Sequence, residues 1–123
     1  MTTLLLIEDD QVLRENTRDL LEVFGFECLV AQRGEAGLDL LEYIKPDLII
    51  CDVMMPGFDG YQTKQEINKD PTTRKIPFIF LTGKSATEDI AYGFAIGACA
   101  YIIKPFKIKD LVDAITTHIP KTI

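Results

Sequence analysis

The sequence lacks the features that would tie it to a nucleic acid or a membrane. Basic residues are outnumbered, thirteen against nineteen acidic, for a formal charge of −6, and lysine and arginine nowhere form a cluster. Phosphate backbones demand a basic face, so the composition argues against direct nucleic-acid binding. No apolar run approaches the roughly 20 residues a bilayer-spanning helix needs. No basic stretch precedes Leu4-Leu5-Leu6-Ile7 and acidic residues follow it, which is not a secretory pattern. The expectation is a soluble, cytoplasmic protein without membrane contact. Cysteine is sparse: Cys28, Cys51 and Cys99 lie far apart, without the C-x-x-C spacing of zinc or redox sites. They read as small buried hydrophobes in a reducing compartment.

Apolar residues are plentiful. At 47% hydrophobic and 123 residues, the chain has the material for one packed core, and residues 1–123 are expected to be one domain. Its axis is Leu48-Ile49-Ile50-Cys51-Asp52, followed by the turn-forming stretch Met54-Met55-Pro56-Gly57-Phe58-Asp59-Gly60. An uninterrupted apolar run of this kind suits a strand buried on both faces, as in a parallel sheet. A strand that buries everything and then ends in one Asp presents that Asp to something.

In chain order, Leu4 to Ile7 predicts a first strand ending in Glu8-Asp9-Asp10. A helix follows with Leu13, Leu20, Leu21 and Phe24 as its inward stripe and Gly25 as its end. Phe26 to Ala31 is a second strand, polar enough at Glu27 to sit near an edge, and Glu35 to Ile44 a second helix with Leu40, Leu41 and Ile44 inward. The third strand runs from Asp47 to Cys51. Tyr61 to Asn68 is helical by composition but weakly periodic, and Asp70-Pro71 breaks it. Pro77 to Leu81 is the fourth strand. Ser85-x-x-Glu88 has the spacing of a capping box for a helix from Thr87 to Ile96, which Gly93 weakens by about 1 kcal/mol relative to Ala. Ala98 to Ile103 is the fifth strand. The last helix carries Ile108, Leu111, Val112, Ile115 and Ile119 and is stopped by Pro120. Strands and helices alternating five times, without repeats, predict an α/β fold with a doubly wound parallel sheet.

In such folds ligands bind outside the carboxyl ends of the strands. Those ends carry Glu8, Asp9 and Asp10, then Asp52, Thr82 and Lys104. Neighbouring parallel strands lie about 4.8 Å apart, so carboxylates ending adjacent strands can share one cation. Hard oxygen donors with little else favour Mg²⁺ completed by water. A carboxylate nucleophile beside a divalent ion, a lysine and a hydroxyl is a set suited to phosphoryl transfer.

Four motifs now combine: Ile7-Glu8-Asp9-Asp10; Asp52 followed by Met55-Pro56-Gly57 and Asp59-Gly60; Thr82-Gly83; and Tyr101-Ile102-Ile103-Lys104-Pro105-Phe106. With them the chain resembles, over essentially its whole length, a receiver domain of the two-component response-regulator family. The resemblance implies a flavodoxin-like five-stranded sheet of order 2-1-3-4-5 with five helices. It implies that Asp52 accepts a phosphoryl group from a histidine kinase or phosphotransfer protein. Asp9, Asp52 and the main-chain carbonyl of Met54 would hold Mg²⁺, with Glu8 acting through water. Lys104 would pair with the phosphoryl oxygens and precede a cis bond to Pro105. Thr82 would bond the phosphoryl group, and Tyr101 would follow it from an outward to an inward rotamer. The surface of the fourth helix, fifth strand and fifth helix would then change for a downstream protein partner, with a phosphorylation-dependent homodimer as a family possibility. Apart from its own phosphorylation and slow dephosphorylation, no catalysis is implied. Three positions depart from the commoner pattern or colour it: Glu8 replaces the usual Asp, Met54 offers no side-chain help to a hydrolytic water, and the small Gly83 leaves Asp52 open.

Competing readings fit less well. A phosphatase using Asp52 as nucleophile usually wants an acid two residues on, where Met54 stands. A phosphorylation-independent docking module has no need of Asp9, Asp52, Thr82 and Lys104 together. A P-loop or dinucleotide site needs a Gly-rich loop where Glu8-Asp9-Asp10 stands. Taken singly, Asp10 reads as a helix N-cap, Met54 and Met55 as packing, and His118 as a last-turn cation favoured by the helix dipole. Met1 just before the first strand favours a stand-alone regulator, while Pro120-Lys121-Thr122-Ile123 reads equally as the start of a linker.

Overall fold

The structure, a computed structural model, describes residues 1–119. Its elements in chain order are β1 (Thr3–Ile7), α1 (Gln11–Val23), β2 (Glu27–Ala31), α2 (Gly34–Leu41), β3 (Leu48–Cys51), α3 (Gly60–Asn68), β4 (Phe78–Thr82), α4 (Thr87–Ala95), β5 (Ala100–Ile103) and α5 (Ile108–His118). All strand pairs are parallel and the order is β2-β1-β3-β4-β5, the expected doubly wound sheet. Pro120, expected to stop α5, and the linker reading of Pro120 to Ile123 lie outside the described residues.

The central strands explain the apolar runs. Every residue of β3 and β4 is buried, because helices cover both faces of the sheet. Leu5, Ile7, Ile49, Cys51, Phe78 and Phe80 pack on one side with Tyr61 and Ile67 of α3. Leu4, Leu6, Leu48, Ile50, Ile79 and Leu81 pack on the other with Leu21 of α1 and Leu111 and Ile115 of α5. The edge position expected for β2 holds; Glu27 is exposed there. The free cysteines Cys28 and Cys51 are buried and Cys99 half-buried. Burial pushes the Cys28 thiol up to about 12 and raises Cys51 and Cys99 as well, which suits inert core residues.

Several helix expectations need correction. In α1 the buried residues are Thr17 and Leu21, while Leu20 and Phe24 are 43% and 50% exposed. Only one of two adjacent leucines can face the sheet, and Leu20 instead lines a groove with Leu13, Phe106 and Ile108. Gly25 does end α1, at φ +94°. The second helix stops at Leu41, three residues early, because Glu42 and Tyr43 donate to carbonyls three residues back and tighten the last turn. The capping box expected at Ser85 is not formed: the N-cap of α4 is Ala86, without a side-chain bond. A complete box caps α3 instead, where Asp59 Oδ1 accepts from Gln62 N–H and Gln62 Oε1 accepts from Asp59 N–H.

The weak periodicity of α3 has a cause. Its buried face is Gly60, Tyr61, Thr63, Lys64 and Ile67, so polar side chains stand where aliphatic ones are expected. Lys64 is only 2% exposed; its Nζ donates to Asn68 Oδ1 at 2.6 Å and lies 5.6 Å from the centre of the Phe78 ring. Among the described residues it has no carboxylate partner. Burial therefore holds its ammonium below the ordinary lysine range. Between that lowered value and the unfolded lysine value of ~10.4, the unfolded chain binds the extra proton, so this group makes stability rise with pH. Lys64→Met, of similar length, is expected to stabilise the fold by about 1–2 kcal/mol at pH 7. The advantage should shrink toward pH 10 in chemical denaturation; a constant difference across that range would exclude titration of Lys64 as its source.

Candidate functional site

The site forms where four strands end. Each candidate side chain stands at or just past a strand end: Glu8 after β1, Asp52 after β3, Thr82 closing β4, and Lys104 after β5. Backbone bonds continue the ladder one step past the strands and fix these positions. Glu8 N–H donates to Ala31 O at 3.0 Å, Asp52 N–H to Ile7 O at 3.1 Å and Lys104 N–H to Thr82 O at 2.9 Å.

Lys104 bridges the acids. Its Nζ lies 2.6 Å from Glu8 Oε1 and 2.9 Å from Asp52 Oδ2, while Glu8 and Asp52 are 3% and 6% exposed. Burial raises the Glu8 carboxyl, and the neighbouring Asp52 charge adds to this, whereas Lys104 pulls it back. Burial likewise pulls Lys104 down, but its bonds to both carboxylates outweigh that and hold the ammonium above its usual value. Two nearly dry carboxylates share one cation, leaving the pocket with surplus negative charge.

Asp9 supplies a third acid from the exposed rim. One carboxylate oxygen each from Glu8, Asp9 and Asp52 lie within 4.8 Å of one another. This all-oxygen, net-negative donor set fits a small hard divalent cation, which would relieve the surplus charge that Lys104 leaves. Asp10 stands apart: exposed, it accepts from Leu13 N–H at 3.0 Å and is the N-cap of α1. Met54 N–H donates to Asp52 Oδ1 at 3.0 Å. The Met54 side chain is 60% exposed, so the packing reading holds for the buried Met55 and not for Met54.

Thr82 is fully buried, and its Oγ1 accepts from Lys84 N–H at 3.2 Å. The ring of Tyr101 packs against Phe80 with centroids 5.7 Å apart, and its hydroxyl donates to Lys84 O at 2.7 Å. The Lys104–Pro105 bond is cis. His118 lies in the last turn of α5, away from these strand ends.

Two contributors were not singled out in the sequence. Arg14, one turn into α1, donates from Nη1 to Glu8 O at 2.9 Å and to Asp9 O at 3.5 Å, pinning the acidic turn. A basic residue four after an N-cap is the faint signal that could have found it. Tyr61 at the start of α3 brings its hydroxyl to 3.1 Å from that of Tyr101. Only the fold makes them neighbours.

Known proteins share this fold. The family model described as response regulator receiver domain matches residues 4–116. The phosphate regulon transcriptional regulatory protein PhoB of Pseudomonas aeruginosa is 34% identical over 120 residues, 98% of this chain and 52% of that protein. The transcriptional regulatory protein RprY of Bacteroides fragilis is 43% identical over 108 residues, 88% of this chain and 45% of that protein. The chain thus spans about half the length of these curated relatives. Among solved structures, the chemotaxis protein CheY4 of Vibrio cholerae superposes with a TM-score of 0.90 at 26% identity, covering 95% of this chain and 98% of that one. Fold, strand order and a family match across nearly the whole chain agree: this chain belongs to the response-regulator receiver domain family.

Proposed function

We propose that this receiver unit, residues 1–123, is a phosphoacceptor switch in which Asp52 takes a phosphoryl group from a histidine kinase or phosphotransfer protein. The observation that carries the reading is the buried Glu8–Lys104–Asp52 triad with Asp9 at its rim. A carboxylate oxygen of Asp52 attacks the donor phosphorus; a P–O bond forms, the P–N bond to the donor imidazole breaks, and that imidazole leaves with a proton. Met54 N–H and Lys104 Nζ fix the two oxygens of the nucleophile before attack. Lys104 then follows the charge onto the phosphoryl oxygens, and Thr82 Oγ1 can exchange its bond from Lys84 N–H for one to the same group. Mg²⁺, held by Asp9, Asp52 and the Met54 carbonyl with Glu8 acting through water, would supply charge neutralisation at the transferring group.

The output is protein docking. A new bond at Thr82 pulls on the loop that Tyr101 holds through Lys84, and the face of α4, β5 and α5 changes in response. A kinase or phosphotransfer donor, a downstream protein and a phosphorylation-dependent homodimer are the partners this implies, in the cytoplasm and without direct nucleic-acid contact. Switching, with self-phosphorylation and slow dephosphorylation as the only chemistry, distinguishes it from an enzyme.

Intact-mass analysis after treatment with acetyl phosphate tests the reading. A single phosphoryl adduct mapping to Asp52 is expected with Mg²⁺, falling at least tenfold in chelator, a loss of about 1.4 kcal/mol in barrier terms. An adduct of equal yield in chelator would remove the metal from the scheme. Binding of Mg²⁺ without any adduct, even from a kinase, would favour a phosphorylation-independent docking module.

A further inference from the structure

The tyrosine at the start of α3 is not among the residues that touch the reacting group, yet its hydroxyl enters a hydrogen-bond relay that ends there. Tyr61 is 9% exposed and packs edge-on to Phe80 and Tyr92, with centroids 5.2 Å and 4.9 Å away. Its hydroxyl lies 3.1 Å from the Tyr101 hydroxyl and 3.0 Å from Asp89 O. The Tyr101 hydroxyl lies 2.7 Å from Lys84 O, and Lys84 N–H donates to Thr82 Oγ1 at 3.2 Å.

Counting hydrogens decides how this cluster is wired. Two phenols carry two hydrogens, and three contacts compete for them. Asp89 O lies in the first turn of α4, where its helical bond already serves it. Lys84 O lies in the loop before the helix and has no such provision. The favoured arrangement is therefore a chain in which Tyr61 O–H donates to the Tyr101 oxygen and Tyr101 O–H donates to Lys84 O. Such chains strengthen each member, because an accepted bond makes a hydroxyl a better donor. Burial pushes the Tyr101 phenol upward, so it keeps its hydrogen.

Gly93 shows that the seat of the Tyr101 ring is built for it. A Cβ at Gly93 would come within 2.8 Å of Tyr101 Cδ2 and 2.9 Å of its Cε2. The glycine that weakens α4 by propensity is the one that admits the ring. Two further bonds along the same helix pair, Gln65 to the Tyr92 hydroxyl at 2.5 Å and Asn68 Nδ2 to Ile96 O at 2.8 Å, hold α4 against α3. Tyr61, Gln65 and Asn68 are spaced as one stripe of α3, so the relay stands on a fixed helix pair.

We infer that Tyr61 is a positioning residue for the phosphoacceptor site: it stabilises the Tyr101 rotamer whose hydroxyl bonds Lys84 O, and through Lys84 it sets where the Thr82 hydroxyl waits. The inference rests on the phosphoacceptor reading above. By linkage, a residue that favours this rotamer also favours whatever ligand the rotamer favours, and by the same factor.

The test uses the whole chain and the beryllium trifluoride anion, a mimic of the phosphoryl group, with Mg²⁺ present. Affinity is measured for the wild type, Tyr61→Phe, Tyr101→Phe and the double variant, with Mg²⁺ affinity measured alone as a control. Tyr61→Phe is expected to weaken beryllofluoride binding about three- to tenfold, the range of one neutral hydrogen bond, and to leave Mg²⁺ binding unchanged. In the Tyr101→Phe background the same substitution should have no effect, because the relay is already cut. Equal affinity of Tyr61→Phe and wild type, or an equal loss in both backgrounds, would overturn the inference. Failure of the wild type itself to bind beryllofluoride or take phosphate would instead overturn the phosphoacceptor reading.

Discussion

Asp52→Asn is expected to take up no phosphoryl group under conditions that load the wild type, and yet to be the more stable protein when metal is chelated. Both outcomes follow from one geometry. Asp52 and Glu8 are nearly dry and share the single ammonium of Lys104, at 2.9 Å and 2.6 Å. Asparagine keeps an oxygen for Met54 N–H but is no nucleophile, so the adduct is lost entirely. It also removes one of two negative charges from a pocket with one positive charge. The Glu8–Lys104 pair is left balanced, and the repulsion that helps raise the Glu8 carboxyl disappears. A gain of about 1 kcal/mol at neutral pH is the expected size. Mg²⁺ should then reverse the ranking. A ligand at a hundredfold its Kd stabilises its folded partner by about 2.7 kcal/mol, and the variant has lost one of the oxygen donors that would bind it. Thermal melts with Mg²⁺ and with chelator check this; an adduct in the variant would move the phosphoacceptor elsewhere.

Gly60→Ala carries the second large effect, and two physical terms disagree about its sign. Helix propensity favours alanine by about 1 kcal/mol. Contact opposes it: a Cβ on Gly60 would run into the carbonyl oxygen of Asp52 and stand 2.8 Å from Val53 Cα. Both obstacles are backbone, and both belong to the strand end that presents Asp52. Gly60 N–H is also bonded to Val53 O at 3.0 Å, so the start of α3 cannot retreat without losing that bond. The clash wins. A destabilisation of roughly 3–5 kcal/mol is expected, a fall in Tm on the order of 10–20 °C for a chain of this size. The fraction that remains folded should take phosphate more slowly, since Asp52 shifts with its carbonyl. A Tm within a few degrees of wild type would mean that the α3 terminus is free to move.

The order and kind of the elements were legible in the chain because they depend on local periodicity. Leu48 to Cys51 and Phe78 to Leu81 are continuous apolar runs because both faces of their strands are covered. The groups at the sheet edge were legible for a related reason: parallel strands all deliver their last residues to one edge, so Glu8, Asp52, Thr82 and Lys104 could be gathered without coordinates. What local pattern could not reveal is which of two adjacent side chains faces the sheet, or which polar residue finds a buried partner. Leu20 and Phe24 look as inward as Leu21 in the sequence, yet only Leu21 is fully buried. Ser85-x-x-Glu88 and Asp59-x-x-Gln62 have equal claim to a capping box, and only the second turns its side chains onto its own backbone.

By itself, then, the sequence determined the alternation of strand and helix, the burial of the central strands and the inventory of groups at the sheet edge, all set by residues close together in the chain. Tertiary structure alone decided the contacts between residues far apart. It seats Lys104 between Glu8 and Asp52, across 96 and 52 positions. It brings the hydroxyls of Tyr61 and Tyr101 together across 40. It also buries Lys64 in a face whose pattern called for an aliphatic residue. The reason is physical: periodicity fixes the face a residue occupies, while the partner it meets there depends on the packing of helices that the sequence places elsewhere.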